Sequence, residues 1–411
     1  MKTSKASAPR ASSTITHMLR SFSRGPGAIA TGLVFILGVL AGCAVRDPAA
    51  PPSAAPPPRP ATDATPAAVR SLPASRWVAA GWSDLPGWPQ DSVLAAWPAL
   101  LKSCERPAPD WAAACASARA LAAPDEPRVR AWLQAQLQPW RVETPDGAAE
   151  GLITGYYEPL FEARRLPGPG FQVPLYAPPA DLATRRPWYT RTQIETDPAA
   201  RAALRGREIA WLADPLDALV LHIQGSGRLA LTEPDGRRRL LRAAFAGHND
   251  QPYQSVGRWL VERGAFTLEQ ASWPAIKAWT RANPHRVAEM IRANPRYVFF
   301  REELLTDPTQ GPLGAQGVPL TPGRSIAVDK GSVPYGTPVW IATTEPQAWS
   351  PNPPPPRPLQ RLVLAQDTGG AIVGAVRADY FWGWGEGADE LAGRMKQPLR
   401  MWALWPKAAP R

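Results

Sequence analysis

A mainly β fold with helices is what this chain of 411 residues predicts, and three observations lead there. From Val142 onward, short apolar runs alternate with polar residues or stand between Gly and Pro, which is the period and punctuation of strands. Apolar spacings of three and four are confined to two stretches, Trp77 to Leu137 and the region from "QSVGRWLVERG" to "HRVAEMIRAN". No internal repeat is visible, which counts against a two-lobed duplicated fold.

The first element is not part of the fold. "AIATGLVFILGVLAGC" is an uncharged apolar stretch behind Arg20 and Arg24, with no acidic residue before it. It falls short of the roughly 20 apolar residues that a spanning helix needs, so it reads as a secretory signal, with Met18 as an alternative start. It ends in Leu40-Ala41-Gly42-Cys43, which resembles the lipobox of bacterial lipoproteins and implies residues 1–43 as signal and lipobox, with a lipid anchor at Cys43. Residues 44–76 are rich in Pro and Ala and nearly devoid of large apolar side chains, the composition of an extended tether. Of the 3 cysteines, Cys104 and Cys115 remain as one disulfide or as two buried thiols.

The helical stretch from Trp77 carries "DLPGWPQDSVLAAWPALLKSCE", "DWAAACASARAL" and "EPRVRAWLQAQLQPW", broken by Pro and Asp. Strands follow in "GLITGYYEPLFEARR" and "FQVPLYAPP". "LDALVLHIQGSGRLAL" and "RRRLLRAAF" read as a hairpin around "EPDG". After the second helical stretch the chain is β-rich again, with "SIAVDKGSVPYGTPVWIATT", a Pro-rich loop, "RLVLAQDTGGAIVGAV", a short helix at "GADELAGRMK" and a last strand "RMWALW".

Composition narrows the chemistry. The formal charge is +11, and removing the five Lys/Arg of residues 1–42 leaves +6. That modest excess suits an anionic polymer or membrane surface, but no basic run or nucleic-acid motif accompanies it, so no nucleic acid is expected. The 18 Trp outnumber Tyr and Phe together and offer flat faces for sugars, although many must be core. With 4 His and no HExxH spacing, no metal and no cofactor are expected. "HIQGSG" lacks the GxSxG elbow of a serine nucleophile, and His222, His248 and His285 read as structural.

Carboxylates beside glycines remain. Asp329 in "AVDKGSVPYGT", Asp367 in "AQDTGGAIVG" and Asp379 in "RADYFWGWG" each end a short apolar strand, and could meet at one barrel edge. Crowded like charges, or a lining of Tyr380, Phe381, Trp382 and Trp384, would raise the pKa of one of them. For Asp367, followed by Thr-Gly-Gly, capping a turn is as good a reading as chemistry. A single DTG argues against a pepsin-like protease, which needs one from each lobe.

These segments resemble the membrane-bound lytic murein transglycosylase A family, whose C-terminal barrel is named for three aspartates. The resemblance is carried by the lipobox, "TGYYEP", "HIQGSG", "GHNDQPYQSVGRWL", "RANPRYVFFRE", "SIAVDKGSVPYGTPVWI" and "DTGGAIVGAVRADYFWGWG", in the family's order over most of residues 150 to 404. It implies a double-psi β-barrel, residues 77–162 and 308–411 with N-terminal helices, and a second β-domain with connecting helices inserted at 163–307. It implies an enzyme that cleaves the β-1,4 bond between N-acetylmuramic acid and N-acetylglucosamine without water, leaving 1,6-anhydromuramoyl ends.

Asp379 carries over as the one acid and base, with Asp329 and Asp367 in support. Tyr156, Tyr157, Gln224, Gly225, Ser226, Gly369 and Gly370 carry over as glycan contacts. Val373 departs from the Lys expected there, which puts any contact made by that Lys in doubt. The implied setting is an outer-membrane lipoprotein facing the periplasm. Its partners are then peptidoglycan glycan strands and the membrane, with cell-wall synthesis or division proteins as unidentified candidates. An aspartic-protease-like hydrolase and a non-catalytic peptidoglycan-binding lipoprotein are the competing readings.

Overall fold

The computed structural model describes residues 67–348 and 350–407. The signal segment, Cys43 and the tether up to residue 66 lie outside the described residues. The end of the expected tether differs from the expectation, because Val69–Ser71 is already a strand, β1, paired antiparallel with β2, Arg76–Ala79. Trp77 in β2 is 1 % exposed and its indole N–H donates to the carbonyl of Ser332, so burial of one aromatic holds this edge in place.

Two sheets organise the fold. The first has nine strands in the order β1, β2, β3, β15, β12, β13, β11, β14, β4. Here β3 is Leu137–Glu143, β4 is Gly151–Tyr156, β11 is Ser325–Val328, β12 is Pro338–Thr344, β13 is Pro358–Asp367, β14 is Arg377–Phe381 and β15 is Lys396–Pro406. β15 also pairs with β4, so β4, β14, β11, β13, β12 and β15 close into a six-stranded ring. Two contacts in the ring, β11 with β13 and β14 with β4, are parallel among antiparallel neighbours, as a double-psi barrel requires. Closure removes the free edges that an open sheet would present.

The second sheet has six strands in the order β10, β9, β8, β5, β7, β6. These are β5, Leu160–Arg164; β6, Val173–Tyr176; β7, Glu208–Leu212; β8, Gly227–Thr232; β9, Arg238–His248; and β10, Val298–Leu304. It curls until β10 lies against β6, around Leu175, Leu212, Leu231 and Phe300. Every strand of this sheet falls between β4 and β11 in sequence, so the chain leaves the barrel once and returns once.

Helices fill the remainder. Trp97–Ser103, Ala112–Ala120 and Glu126–Gln136 pack on the barrel through Trp97, Leu100, Trp111 and Leu133. Cys104 and Cys115 form a disulfide between the first two. Among the described residues no helix is long and apolar enough to cross a membrane.

One segment differs from its strand pattern. Pro215–Gln224 is a helix, begun by the Asp214 carboxylate accepting from Leu216 N–H, with Pro215 in its first turn. Leu216, Leu219, Val220 and Leu221 are all buried, so this helix is apolar on nearly every side and shows no period to distinguish it from a strand. It ends at Gly225, whose φ of 79° is the left-handed cap that glycine supplies without strain. The hairpin around "EPDG" forms as expected, between β8 and β9.

Candidate active site

Strand register assembles the site. Ala327 of β11 pairs with Asp367 on one side and with Asp379 on the other, and Asp379 pairs in turn with Thr154 of β4. Four neighbouring strands therefore carry Asp367, Ala327, Asp379 and Thr154 in one row across the barrel wall. Ala327 between the carboxylates has the smallest chiral side chain and is buried.

The three aspartates differ in what their oxygens do. Asp329, just past the end of β11, accepts from Gly331 N–H at 2.9 Å through one oxygen and from Gly374 N–H at 3.0 Å through the other. It ties two loops together and is fully engaged. Asp367, the last residue of β13, accepts from the Tyr156 hydroxyl at 2.9 Å and from Ala315 N–H at 3.0 Å, again one bond on each oxygen. Asp379 accepts on Oδ1 alone, from the Thr154 hydroxyl at 2.6 Å, while no protein donor within the described residues reaches Oδ2. Asp379 also differs from the expected strand end, since it is the central residue of β14.

Burial pushes the pKa of Asp379 up to about 6, against the lowering effects of the Thr154 hydroxyl and the Arg377 guanidinium, with Asp367 adding to the rise. Burial likewise raises Asp367 to about 6, opposed by its bonds from Thr368, Tyr156 and Ala315. Both side chains keep partial contact with solvent, so enclosure by protein rather than complete exclusion of water produces the rise. The expected aromatic lining is only partly present. Phe381, on the same strand face as Asp379, lines a cavity and stacks on Tyr156 at 5.1 Å between ring centres. Tyr380 faces the barrel interior by strand alternation, and its hydroxyl donates to Gly323 C=O. The Trp382 indole is spent on Met395 Sδ, and Trp384 lies under Arg228.

Two cavities flank this row. The first, about 600 Å³, lies between the barrel loops and the second sheet and is lined by Tyr156, Tyr157, Gln224, Gly225, Ser226, Asp367, Gly369 and Gly370. All seven expected contact residues thus come together with Asp367. Gln224 accepts from Tyr157 N–H at 3.0 Å, which joins "TGYYEP" to "HIQGSG". The Arg296 guanidinium stands 3.1 Å from where a Cβ on Gly370 would be, a tight contact that glycine there relieves. The second cavity, about 860 Å³, is lined by Thr154, Tyr253, Trp259, Trp273 and Lys396. Ile223 lines both; Asp379 lines neither, but accepts from Thr154 of the second and sits on β14 beside β4, the strand that also carries Tyr156 of the first. Among the described residues no Trp lines the first cavity; Trp77, Trp88, Trp97, Trp111, Trp132 and Trp340 are core instead.

Sequence reasoning missed Thr154, Arg377, Ala315 and Arg296. Thr154 opens the "TGYYEP" motif and was within reach of it, whereas the other three meet the site only through strand register or loop packing. Val373 is 71 % exposed in the loop after Asp367.

Two family models match the chain: residues 152–301 match the MltA specific insert domain and residues 324–405 match the 3D domain. The membrane-bound lytic murein transglycosylase A of Vibrio cholerae is 33 % identical over 265 residues, 63 % of this chain and 66 % of that protein. The protein of the same description from Escherichia coli K12 is 30 % identical over 272 residues, 66 % of this chain and 69 % of the relative. Among solved structures, the lytic transglycosylase LtgG of Burkholderia pseudomallei is 42 % identical with a TM-score of 0.55, covering 84 % of this chain and 98 % of that one. MltA from Neisseria gonorrhoeae is 30 % identical with a TM-score of 0.67, covering 84 % and 96 %. The chain belongs to the membrane-bound lytic murein transglycosylase A family.

Proposed function

We propose that this chain is a peptidoglycan lytic transglycosylase that cleaves the β-1,4 bond between N-acetylmuramic acid and N-acetylglucosamine, with Asp379 as its only acid and base. One observation carries the choice of residue: of the three barrel aspartates, Asp379 alone has a carboxylate oxygen without a protein donor among the described residues. Its pKa of about 6 leaves a useful share protonated near neutrality and still allows it to take the proton back.

In the first half-step the protonated carboxyl donates to the glycosidic oxygen, the bond breaks, and positive charge develops at the anomeric carbon of the muramic residue. The ionised carboxylate then accepts the proton of that residue's 6-hydroxyl, whose oxygen closes on the anomeric carbon to give the 1,6-anhydro end. The nucleophile belongs to the substrate, so one carboxylate suffices where most glycosidases need two. Asp367 and Asp329 support the loops around the groove. The cavities on either side of Asp379 are the two arms of a groove for the glycan strand.

Digestion of purified sacculi in heavy-oxygen water tests the reaction. Unlabelled 1,6-anhydromuramoyl ends are expected; labelled reducing ends would make the enzyme a hydrolase, and Asp367 would then be the second carboxylate to examine, since it shares the register row with Asp379 and lines the first cavity, which Asp329 does not. For the setting, we propose an outer-membrane lipoprotein anchored at Cys43 and facing the periplasm. The relatives are described as membrane-bound, which supports membrane association. Labelled palmitate should enter the wild-type precursor and not the Cys43→Ser variant, and equal membrane partitioning of the two would remove the anchor.

A further inference from the structure

We propose that Arg377 is a positioning residue for this reaction: it holds the Thr154 hydroxyl as a donor to Oδ1 of Asp379, so that the transferable proton is carried on Oδ2. The inference rests on the reading of Asp379 as acid and base and deepens it. Arg377 and Asp379 stand two residues apart on β14 and so share a face of the strand. The Arg377 Nη2 donates to Thr154 Oγ1 at 2.9 Å, and the same hydroxyl donates to Asp379 Oδ1 at 2.6 Å. Arg377 is itself fixed by donating from Nη1 to the carbonyls of Leu152 and Ala378.

The direction of the relay follows from donor chemistry. A guanidinium only donates, while a hydroxyl has one hydrogen and two lone pairs. A cation bonded to the hydroxyl oxygen makes it a poorer acceptor and a stronger donor, which favours the arrangement with the Thr154 hydrogen on Oδ1. An acid proton on Oδ1 would compete with that hydrogen. It therefore resides on Oδ2, the oxygen that no donor among the described residues reaches. The Arg377 charge also lowers the pKa of Asp379 and keeps the carboxylate ionisable for the second half-step. The other charged or titratable groups facing Asp379 are Asp367 at the end of β13, Tyr156 on β4 and Tyr253 in the loop before the helix Val256–Glu262; Lys396 on β15 pairs with Thr154 in register. None of these replaces the bond from Arg377 to the hydroxyl.

The test is turnover of purified sacculi against pH by full-length Arg377→Met, Arg377→Lys, Thr154→Val, Thr154→Ser and the Arg377→Met/Thr154→Val double variant, with thermal melts to establish folding. Removing the cation raises the pKa of Asp379, so the alkaline limb of the profile should move up by about one pH unit in Arg377→Met, with kcat lowered about tenfold and KM little changed. Arg377→Lys should restore the limb, and in the Thr154→Val background Arg377→Met should still move the limb through the lost charge but lower kcat little further, because the two act on Oδ1 as one chain. A folded Arg377→Met with the wild-type limb and kcat, or losses that multiply in the double variant, would overturn the proposal. Should Arg377→Met not fold, Thr154→Val must shift the limb and Thr154→Ser must not; a wild-type limb in Thr154→Val overturns it equally. Asp379→Asn separates the two claims, because full activity there would end the reading of Asp379 whatever the arginine variants do.

Discussion

Asp379 combines an oxygen that no donor among the described residues reaches, a hydroxyl partner and a carboxyl group held near neutrality, and each of these has a consequence that can be measured. Asp379→Asn keeps size but cannot donate and then accept a proton. Turnover of sacculi should fall by about 10² or more, with glycan binding retained. Stability should move in the opposite direction. The folded pKa of Asp379 is raised to about 6, so the carboxyl favours the fold while protonated and opposes it as pH rises through that value. Melting curves should therefore show Asp379→Asn gaining stability over wild type at pH 7.5, by about 1–2 kcal/mol after allowing for residual solvent contact, and no gain at pH 4. Asp329→Asn should lower stability by about 1–2 kcal/mol, since one of its two backbone bonds is lost, while leaving the product anhydro-ended. A variant at 329 that folds normally and is as inactive as one at 379 would mean that the acid had been assigned to the wrong loop.

At the level of elements, local signals and tertiary demands agree in most places. The helices at 256–262 and 273–282 begin at Ser255 and Ser272, whose hydroxyls accept from the N–H groups of Arg258 and Ala275, and spacing predicted both. The helix at 215–224 escaped because burial on nearly all sides erased its period. Strand β7 and the short helices at Arg191–Thr196 and Pro198–Leu204 gave no pattern that reasoning used. The disulfide between Cys104 and Cys115 closes a short loop that joins two helices on the barrel. Replacing both cysteines by Ser should lower unfolding free energy by about 2–3 kcal/mol in denaturant titration, and added reductant should narrow the gap between variant and wild type.

Across the whole molecule, the chain passes between barrel and second sheet at residues 157–159 and again between β10 and β11. One buried cluster binds both crossings. Glu158, fully buried, accepts from Arg228 at 2.8 Å and from Arg242 at 2.5 Å, and its own N–H donates to Gly383 C=O. The two arginines also donate to the carbonyls of Pro308 and Gln310 on the returning strand of chain. Neutralising the carboxylate leaves two buried cations short of a partner. Glu158→Gln should cost about 3–5 kcal/mol of stability, read by denaturant unfolding. The loss should exceed that of Glu162→Gln, whose pair with Arg238 is solvent-exposed.

By itself the sequence determined the β-rich class, the place where the chain turns from helices to strands, and the glycine-flanked aspartates. Those are local properties, written in period, caps and turn residues. Resemblance across "TGYYEP", "HIQGSG" and "DTGG" brought the groove residues into one set, and the first cavity does gather them. Only the tertiary structure decided what each carboxylate does. Asp329, Asp367 and Asp379 stand in similar sequence surroundings, yet their oxygens meet two backbone amides, a tyrosine and an amide, and a single threonine. Those partners lie from 2 to 225 residues away along the chain, and a sequence carries no local signal for hydrogen bonds made by strands brought together through barrel closure.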